Sequence, residues 1–551
     1  MGLLIPFVGL SLLVAIYEIY KRFTRISIAH IAGPESDSFL LGNLPEFFQS
    51  QAAEADFKWQ AQFGDVVRIK ALFGEDRLLL SDPKALQYIY QTSGYNFAKQ
   101  PERLELTRIV TGRGIIWAEG DDHKRHRKVM LPGFSGPEAK AFTPLFSATA
   151  AKLCEKWKDV IAASPDQSSV FDMPSWLSRA TLDAIGEAAF DYEFGALDDA
   201  DNALGKAFAN LPIHTFGTLT GPQIFAQNAI AYLPNSLRPS FVDHMPSKKL
   251  VHARATAKLA TEVARALVDS KAAALLQGKG NRDIMSLLVK ANASENEKTK
   301  LNTEELLAQL RTITLAGHET TANSLSWMFL ELARHPQIQM KLRNEIWTTK
   351  QALEARGDSE FSAADFDAML YLSAFVKEGL RYHPVALTIF RQTIHDDVLP
   401  LSKPITTKSG EVITELPIPK GLKIMTSIPA YNRNKEIFGE DAHKFDPERW
   451  LRPDGVKKSA PVGVLGNLMT FSGGVRSCIG WKFAVVEIQA FLVELVGTFE
   501  FSLTPEAQRI RRESALVMVP TIEGQVEKGA QLPLRIRVAS RENTMDPEIL
   551  I

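Results

Sequence analysis

The hydrophobic pattern changes character along the chain, and each change marks a different kind of element. Gly2 to Tyr17 is apolar without a single charge, and the apolar character resumes at Ile19 and Tyr20 after the lone acid Glu18. Such a run predicts a membrane-spanning helix, which takes about 20 residues. Lys21, Arg22 and Arg25 follow directly, placing the body of the protein on the cytosolic side. A cleaved signal peptide would carry its positive residues ahead of the apolar run and a small-residue cleavage site after it; neither is found. After the connector GPESDSFLLGNL, the run DVVRIKALFGEDRLLLSD predicts two strands joined at Gly74, Glu75 and Asp76. From about residue 140 the period is helical, interrupted by a second strand-like patch, VLPLSKPITTKSGEVITELPIPKGLKIMTSI. The expected fold is therefore mainly α with a smaller β part. No linker rich in Pro, Gly or Ser divides the body. The expected layout is an anchor at 1–22, a connector at 23–45, one large domain at 46–541 and a tail at 542–551.

The longest helical signal is NTEELLAQLRTITLAGHETTANSLSWMFLELARHP. Asn302 stands three residues before Glu305, the spacing of a capping box, and no proline intervenes before Pro336. The helix would span roughly 50 Å at the usual rise and cross the whole molecule. It is apolar around most of its circumference, which predicts burial. Its middle, AGHETT, departs from that pattern. Gly317 weakens the helix, Glu319 brings a charge to core depth, and Thr320 and Thr321 carry hydroxyls that can bond back to the backbone. Two readings stand side by side: polar groups that satisfy themselves within a helix, or an acid and alcohol that hold water and pass protons into a dry site.

Composition changes the picture mainly by exclusion. With 45% hydrophobic and 23% charged residues the chain is globular, and a net charge of -1 gives no reason to expect nucleic acid as a partner. The chain lacks the third glycine of a dinucleotide fingerprint at GRG and GKG, and it contains no phosphate-binding GxxxxGK[ST] loop. Only two cysteines occur, which rules out a disulfide framework and fits a reducing compartment. Cys154 lies in an amphipathic helical run and reads as a small core residue. Cys478 sits in FSGGVRSCIG, between glycines that permit tight turns and just ahead of the helical run FAVVEIQAFLVELVG. A thiol at a helix N-terminus has its anion stabilised, making it a metal ligand or a nucleophile. Zinc would want further ligands, and no CxxC accompanies Cys478. A nucleophile would want a histidine base, which the spacing leaves open. A lone thiolate with glycines and the cation Arg476 fits haem better.

These residues carry a resemblance. FSGGVRSCIG resembles the FxxGxRxCxG haem-binding signature of the cytochrome P450 superfamily at every defined position, including Phe471, Arg476, Cys478 and Gly480. EGLR, Glu378 to Arg381, resembles its ExxR pair, FDPERW supplies the matching Arg449, and AGHETT its oxygen-activating helix motif. The four occur in the family's order. The resemblance covers essentially the whole chain, and with the anchor it is to the membrane-bound fungal members.

The resemblance implies haem b with Cys478 as the axial iron ligand, and a buried network of Glu378, Arg381 and Arg449 that holds the cysteine loop. In HKRHRK, Arg127 and His123 would stand where the family has a WxxxR pair on a haem propionate, with histidine in place of tryptophan. Lys124, Arg125 and Lys128 would face an electron donor. Arg391 resembles another propionate partner. Thr320 and Glu319 would deliver protons. NADPH-cytochrome P450 reductase would be the electron donor, with cytochrome b5 as an additional one. The implied reaction is monooxygenation, in an endoplasmic reticulum membrane, of a lipophilic molecule such as a terpenoid of fungal secondary metabolism. The pocket would lie among Phe97 to Trp117, residues near 205 to 245, Leu315, Ala316, Val385 to Phe390 and Leu516 to Val519. Two rivals are a haem-thiolate isomerase or dehydratase acting on a peroxide without a reductase, and a non-catalytic haem-binding membrane protein.

Overall fold

A computed structural model describes residues 26–199, 201–208, 211–277, 283–292, 300–457 and 461–540. The expected anchor at 1–22 and the tail at 542–551 lie outside the described residues. Among the described residues no helix is long and apolar enough to cross a membrane.

The organising element is the helix Thr303–Arg334. Its capping box forms in both directions: Asn302 Oδ1 accepts from the Glu305 N–H at 2.8 Å, and Glu305 Oε2 accepts from the Asn302 N–H at 2.9 Å. The helix is buried on nearly every face, as its all-round apolar pattern requires. One side packs on the helix Met173–Phe190. There a Cβ on Gly317 would come within 2.7 Å of Ile185, so the glycine sets how closely the two helices approach. The helix Trp481–Thr498 packs against Thr143–Ala162. Their contact includes the edge-to-face pair Phe146 and Phe483 at 4.8 Å. The helix Leu370–Tyr382 completes the layer below the central helix.

Among the described residues the β part falls into four sheets. A five-stranded mixed sheet runs in the order Val66–Lys70, Asp76–Leu80, Lys423–Ser427, Thr388–Thr393, Phe97–Ala98. The first two form the expected hairpin. The parallel register Leu78 to Ile424 joins segments remote in sequence. Lys423–Ser427 is buried along its whole length. On Thr388–Thr393, side-chain alternation sends Phe390 and Arg391 to opposite faces. In the smaller sheets Met518–Ile522 pairs with Ile510–Ser514, Pro533–Val538 lies between Ser168–Asp172 and Phe499–Leu503, and Asp397–Thr406 pairs with Val412–Ile418.

Candidate active site

The segment Phe471 to Gly480 forms a tight loop ahead of the helix Trp481–Thr498, whose N-cap is Gly480. The Cys478 N–H donates to the Phe471 carbonyl at 2.8 Å and closes the loop. Two glycines are demanded by the protein itself: a Cβ on Gly473 would lie 2.0 Å from the Val462 carbonyl oxygen, and one on Gly474, at φ +62°, 1.8 Å from that of Tyr90. Gly480 differs. A Cβ there would touch only Phe134, at 3.7 Å, so the protein atoms leave room beside it. That room belongs to a cavity of about 470 Å³, on whose wall Cys478, Phe471 and Gly480 all lie. Cys478 is accessible from the cavity although deep inside the molecule. Burial pushes its thiol pKa up, while the Gly480 N–H and the Arg127 charge pull it down.

The cavity walls carry Lys99, Arg103, Arg127, Arg391 and Arg476, and among the described residues no Asp or Glu. Arg127 reaches over the cysteine loop, donating to the Ser477 carbonyl at 2.7 Å and to its hydroxyl at 3.1 Å. Arg476 donates to Glu119 at 2.6 Å, to the Phe97 carbonyl at 3.1 Å and to the Gly94 carbonyl; its Nε has no partner. Arg391 donates to the Phe390 carbonyl at 3.0 Å. His123 pairs through Nδ1 with the Tyr95 hydroxyl at 2.9 Å. Burial, with Lys99, Arg476 and Arg127 nearby, holds its pKa down to about 3, so it is a neutral imidazole. Lys99, which the motif pattern does not single out, is brought down to about 7 chiefly by burial and further by Arg391 and Arg476, against the pull of Glu119. At this end of the cavity Lys99, Arg127, Arg391 and Arg476 outnumber the carboxylate that Lys99 and Arg476 share, Glu119.

Of the HKRHRK cations, Lys124 and Lys128 are exposed. Arg125 is not available to an electron donor: it is bound to Glu305 at 2.6 Å and to the Lys300 carbonyl at 2.7 Å, tying its helix to the cap of the central helix.

The central helix forms another wall, through Thr312, Ile313, Ala316, Gly317, Thr320 and Thr321. Thr320 Oγ1 donates back to the Ala316 carbonyl at 2.6 Å. Glu319 turns away from this cavity. Its carboxylate accepts from the Ser178 hydroxyl at 3.2 Å and from Asn323 at 3.3 Å, with His318 Nε2 3.2 Å away. It lines a second cavity of about 360 Å³ together with Lys206 and Lys528. A step of one residue rotates a side chain by about a quarter of a turn, so adjacent positions face different spaces. The same rotation buries Leu315 away from the cavity that Ala316 lines. Within the expected stretches Phe97 to Trp117 and Val385 to Phe390 the cavity is lined by Lys99, Arg103, Leu104, Thr107, Ile115, Ile116 and Thr388 to Phe390, while among the described residues none near 205 to 245 and none from Leu516 to Val519 lines it.

Glu378, Arg381 and Arg449 meet in the interior, with side chains 0, 0 and 1% exposed. Arg381 grips Glu378 through Nε and Nη2, both at 2.8 Å. It also donates to the carbonyls of Asn432, Ala442 and Lys444. Glu378 accepts from Trp450 Nε1 at 3.0 Å and from the Asp446 N–H at 2.8 Å, while Arg449 Nε stands 3.8 Å away. Arg449 is bound more closely to Asp441 and the Phe438 carbonyl. Asn432, missed by motif reasoning, joins this network to the cysteine loop: it accepts from the Met469 N–H at 2.9 Å and donates to Thr470 at 2.8 Å. Asn432 ends the short helix Ile428–Asn432, and the surrounding sequence IPAYNRN gives no signal of that role.

Glu487, on the helix after the loop, is buried, and neither carboxyl oxygen has a hydrogen-bond partner. Burial pushes it up from 4.5 to about 8. The folded chain therefore keeps a proton that the unfolded chain releases near 4.5, and stability falls as pH rises through that window by about 1.4 kcal/mol per unit. Glu487→Gln is expected to melt with the wild type at about pH 5 and well above it at about pH 8. A melting difference independent of pH contradicts this.

A mainly helical body enclosing a cavity with one cysteine, a cluster of cations and no carboxylate is the arrangement of a haem-thiolate protein. The sequence model of the family Cytochrome P450 matches residues 32–527, and the chain belongs to that family. It is 32% identical over 544 residues to Cytochrome P450 monooxygenase 205 of Postia placenta, covering 96% of each chain. It is also 32% identical over 521 residues to Cytochrome P450 monooxygenase claQ of Ampulloclitocybe clavipes, covering 92% of each. The family binds haem through a cysteine thiolate, and the chain is an oxidoreductase of the P450 monooxygenase kind.

Proposed function

We propose that Cys478, as the thiolate, holds the haem iron and that the enzyme inserts an oxygen atom into a lipophilic small molecule. The observation that carries this is the cavity itself: a single thiol, glycine-made room, apolar walls, and several lining cations, of which Lys99 and Arg476 share one carboxylate, Glu119, behind the wall, fit a flat, largely apolar dianion bearing a metal. Arg127, Arg391, Arg476 and the neutral His123 would meet its propionates, with Lys99 beside them. When bound, haem supplies the activation of dioxygen, one atom entering the substrate and the other leaving as water.

The chain's part is to hold sulfur, substrate and protons in place. Glu319, facing the second cavity, would collect protons there and pass them round the helix to Thr320 Oγ1, which presents them in the main cavity. Glu378, Arg381 and Arg449 would fix the loop that carries Cys478. Electrons would come from NADPH through a cytochrome P450 reductase docked near the exposed Lys124 and Lys128, with cytochrome b5 as an additional donor. The substrate would be a terpenoid-like molecule of fungal secondary metabolism, which the apolar Ile115, Ile313 and Ile389 on the cavity wall suit.

An endoplasmic reticulum location with the body on the cytosolic side is supported by an apolar surface. Phe39 is 72% exposed and lies 6.5 Å from Phe73, itself 5.7 Å from the exposed Tyr232. This patch, close in sequence to the apolar N-terminal run, would rest on the bilayer.

Thr320→Ala tests the proton role. With substrate and reductase, the variant is expected to keep its haem and consume NADPH and oxygen, but to release roughly tenfold or more of that oxygen as peroxide per product formed. Unchanged coupling contradicts the role. Turnover of a hydroperoxide without NADPH or oxygen would favour an isomerase or dehydratase instead.

A further inference from the structure

The cation cluster near Cys478 leaves one arginine of the cavity unexplained. Arg103, in the helix Pro101–Thr111, lines the same cavity, yet it takes no part in the cluster. Lys99, Arg391 and Arg476 act on one another. The charges that act on Arg103 are Glu102 and Arg77. Glu102 is already committed to Lys423 at 2.9 Å and lies 3.9 Å from Arg77. Among the described residues the Arg103 guanidinium forms no hydrogen bond or ion pair, and its Nε is buried without a partner.

Its surroundings fix its orientation. The guanidinium lies over the Phe390 ring at 4.2 Å, with Phe48 at 5.2 Å. Stacking covers the face of a guanidinium and leaves its edge donors free for a planar, bidentate acceptor. Burial lowers the group only to about 10, so it is charged at neutral pH. Leu104, Thr107 and Ile116 continue the wall beside it. A charged, half-buried guanidinium without a protein partner, next to an apolar channel, suits an anionic acceptor.

We propose that Arg103 anchors a carboxylate on the substrate, so that this enzyme takes lipophilic acids and oxidises a carbon remote from the acid group. The proposal rests on the reading that haem occupies the cavity beside Cys478 and the substrate the apolar wall near Ile115, Ile313 and Ile389. The carboxylate would lie against the guanidinium edge, its chain running along the apolar wall toward Cys478. Arg103 is a specificity residue in this account and takes no part in the chemistry.

The test is calorimetric binding to the full-length haem-loaded protein, with decanoate compared against decanamide, which keeps the chain length and one acceptor oxygen but loses the charge and the second acceptor. Wild type is expected to bind decanoate roughly tenfold or more tightly than decanamide, as a charge-assisted pair requires. Arg103→Gln is expected to abolish that preference while keeping full haem content, and Arg103→Lys to retain part of it. Equal binding of acid and amide by wild type overturns the proposal, as does a preference that survives Arg103→Gln. Haem loss in Arg103→Gln also overturns it, because the guanidinium would then belong to the porphyrin. Failure of the haem-thiolate reading would show separately, as a wild-type protein lacking the carbon monoxide signature described below.

Discussion

Arg381→Ala is expected to yield a protein that no longer retains haem and is destabilised by about 3 to 5 kcal/mol, the range for breaking one member of a buried ion pair. The side chain is fully buried, and its removal strands more than one group. Glu378 loses both short charge-assisted bonds and is left with Trp450 Nε1, the Asp446 N–H and an Arg449 nitrogen 3.8 Å away. The carbonyls of Asn432, Ala442 and Lys444 lose their donor inside the protein. The damage reaches the cysteine loop through Asn432, whose side chain holds Met469 and Thr470 two residues or fewer before Phe471. Arg381→Lys should fail almost as badly, because an ammonium cannot reproduce a fork that contacts Glu378 twice and three carbonyls besides. Haem content after purification and urea unfolding followed by circular dichroism are the measurements. Full haem retention with a stability loss under about 1 kcal/mol would place Arg381 outside the supporting network.

The sequence made some of this legible because the relevant signals are local. The cap of the central helix was readable from Asn302 and Glu305, three residues apart, and both of its hydrogen bonds form. The hairpin from Val66 to Leu80 was readable from alternation around a turn. What stayed hidden depends on pairings between distant segments. Pro533–Val538 pairs with Ser168–Asp172 more than 350 residues earlier in the chain, and nothing in either run names its partner. The site divides in the same way. Glycine spacing around Cys478 is a local signal, whereas the direction in which Glu319 faces depends on which helix packs beside it. That Lys99 and Arg103, four residues apart, serve different parts of one cavity shows only once Phe390 and Phe48 are seen under the second. Asn432 is legible only when the Arg381 guanidinium and the Met469 N–H are both in view.

Cys478→Ser is expected to abolish monooxygenase turnover altogether, because a hydroxyl at this position does not ionise near neutral pH and cannot supply the electron-rich sulfur on which oxygen activation depends. The loop itself should survive the change. Its closing bond runs through the backbone, from the residue 478 N–H to the Phe471 carbonyl, and its shape is set by Gly473 and Gly474. The second cysteine provides the control. Cys154 is buried in the helix Thr143–Ala162, with its thiol pushed up to about 12 by burial, and Cys154→Ser should leave activity in place. The most direct measurement is the absorption spectrum of the full-length, dithionite-reduced protein under carbon monoxide. A strongly red-shifted Soret band in wild type and Cys154→Ser, lost in Cys478→Ser, is the predicted result. Absence of that band from the wild type, or its persistence in Cys478→Ser, would contradict sulfur ligation by residue 478.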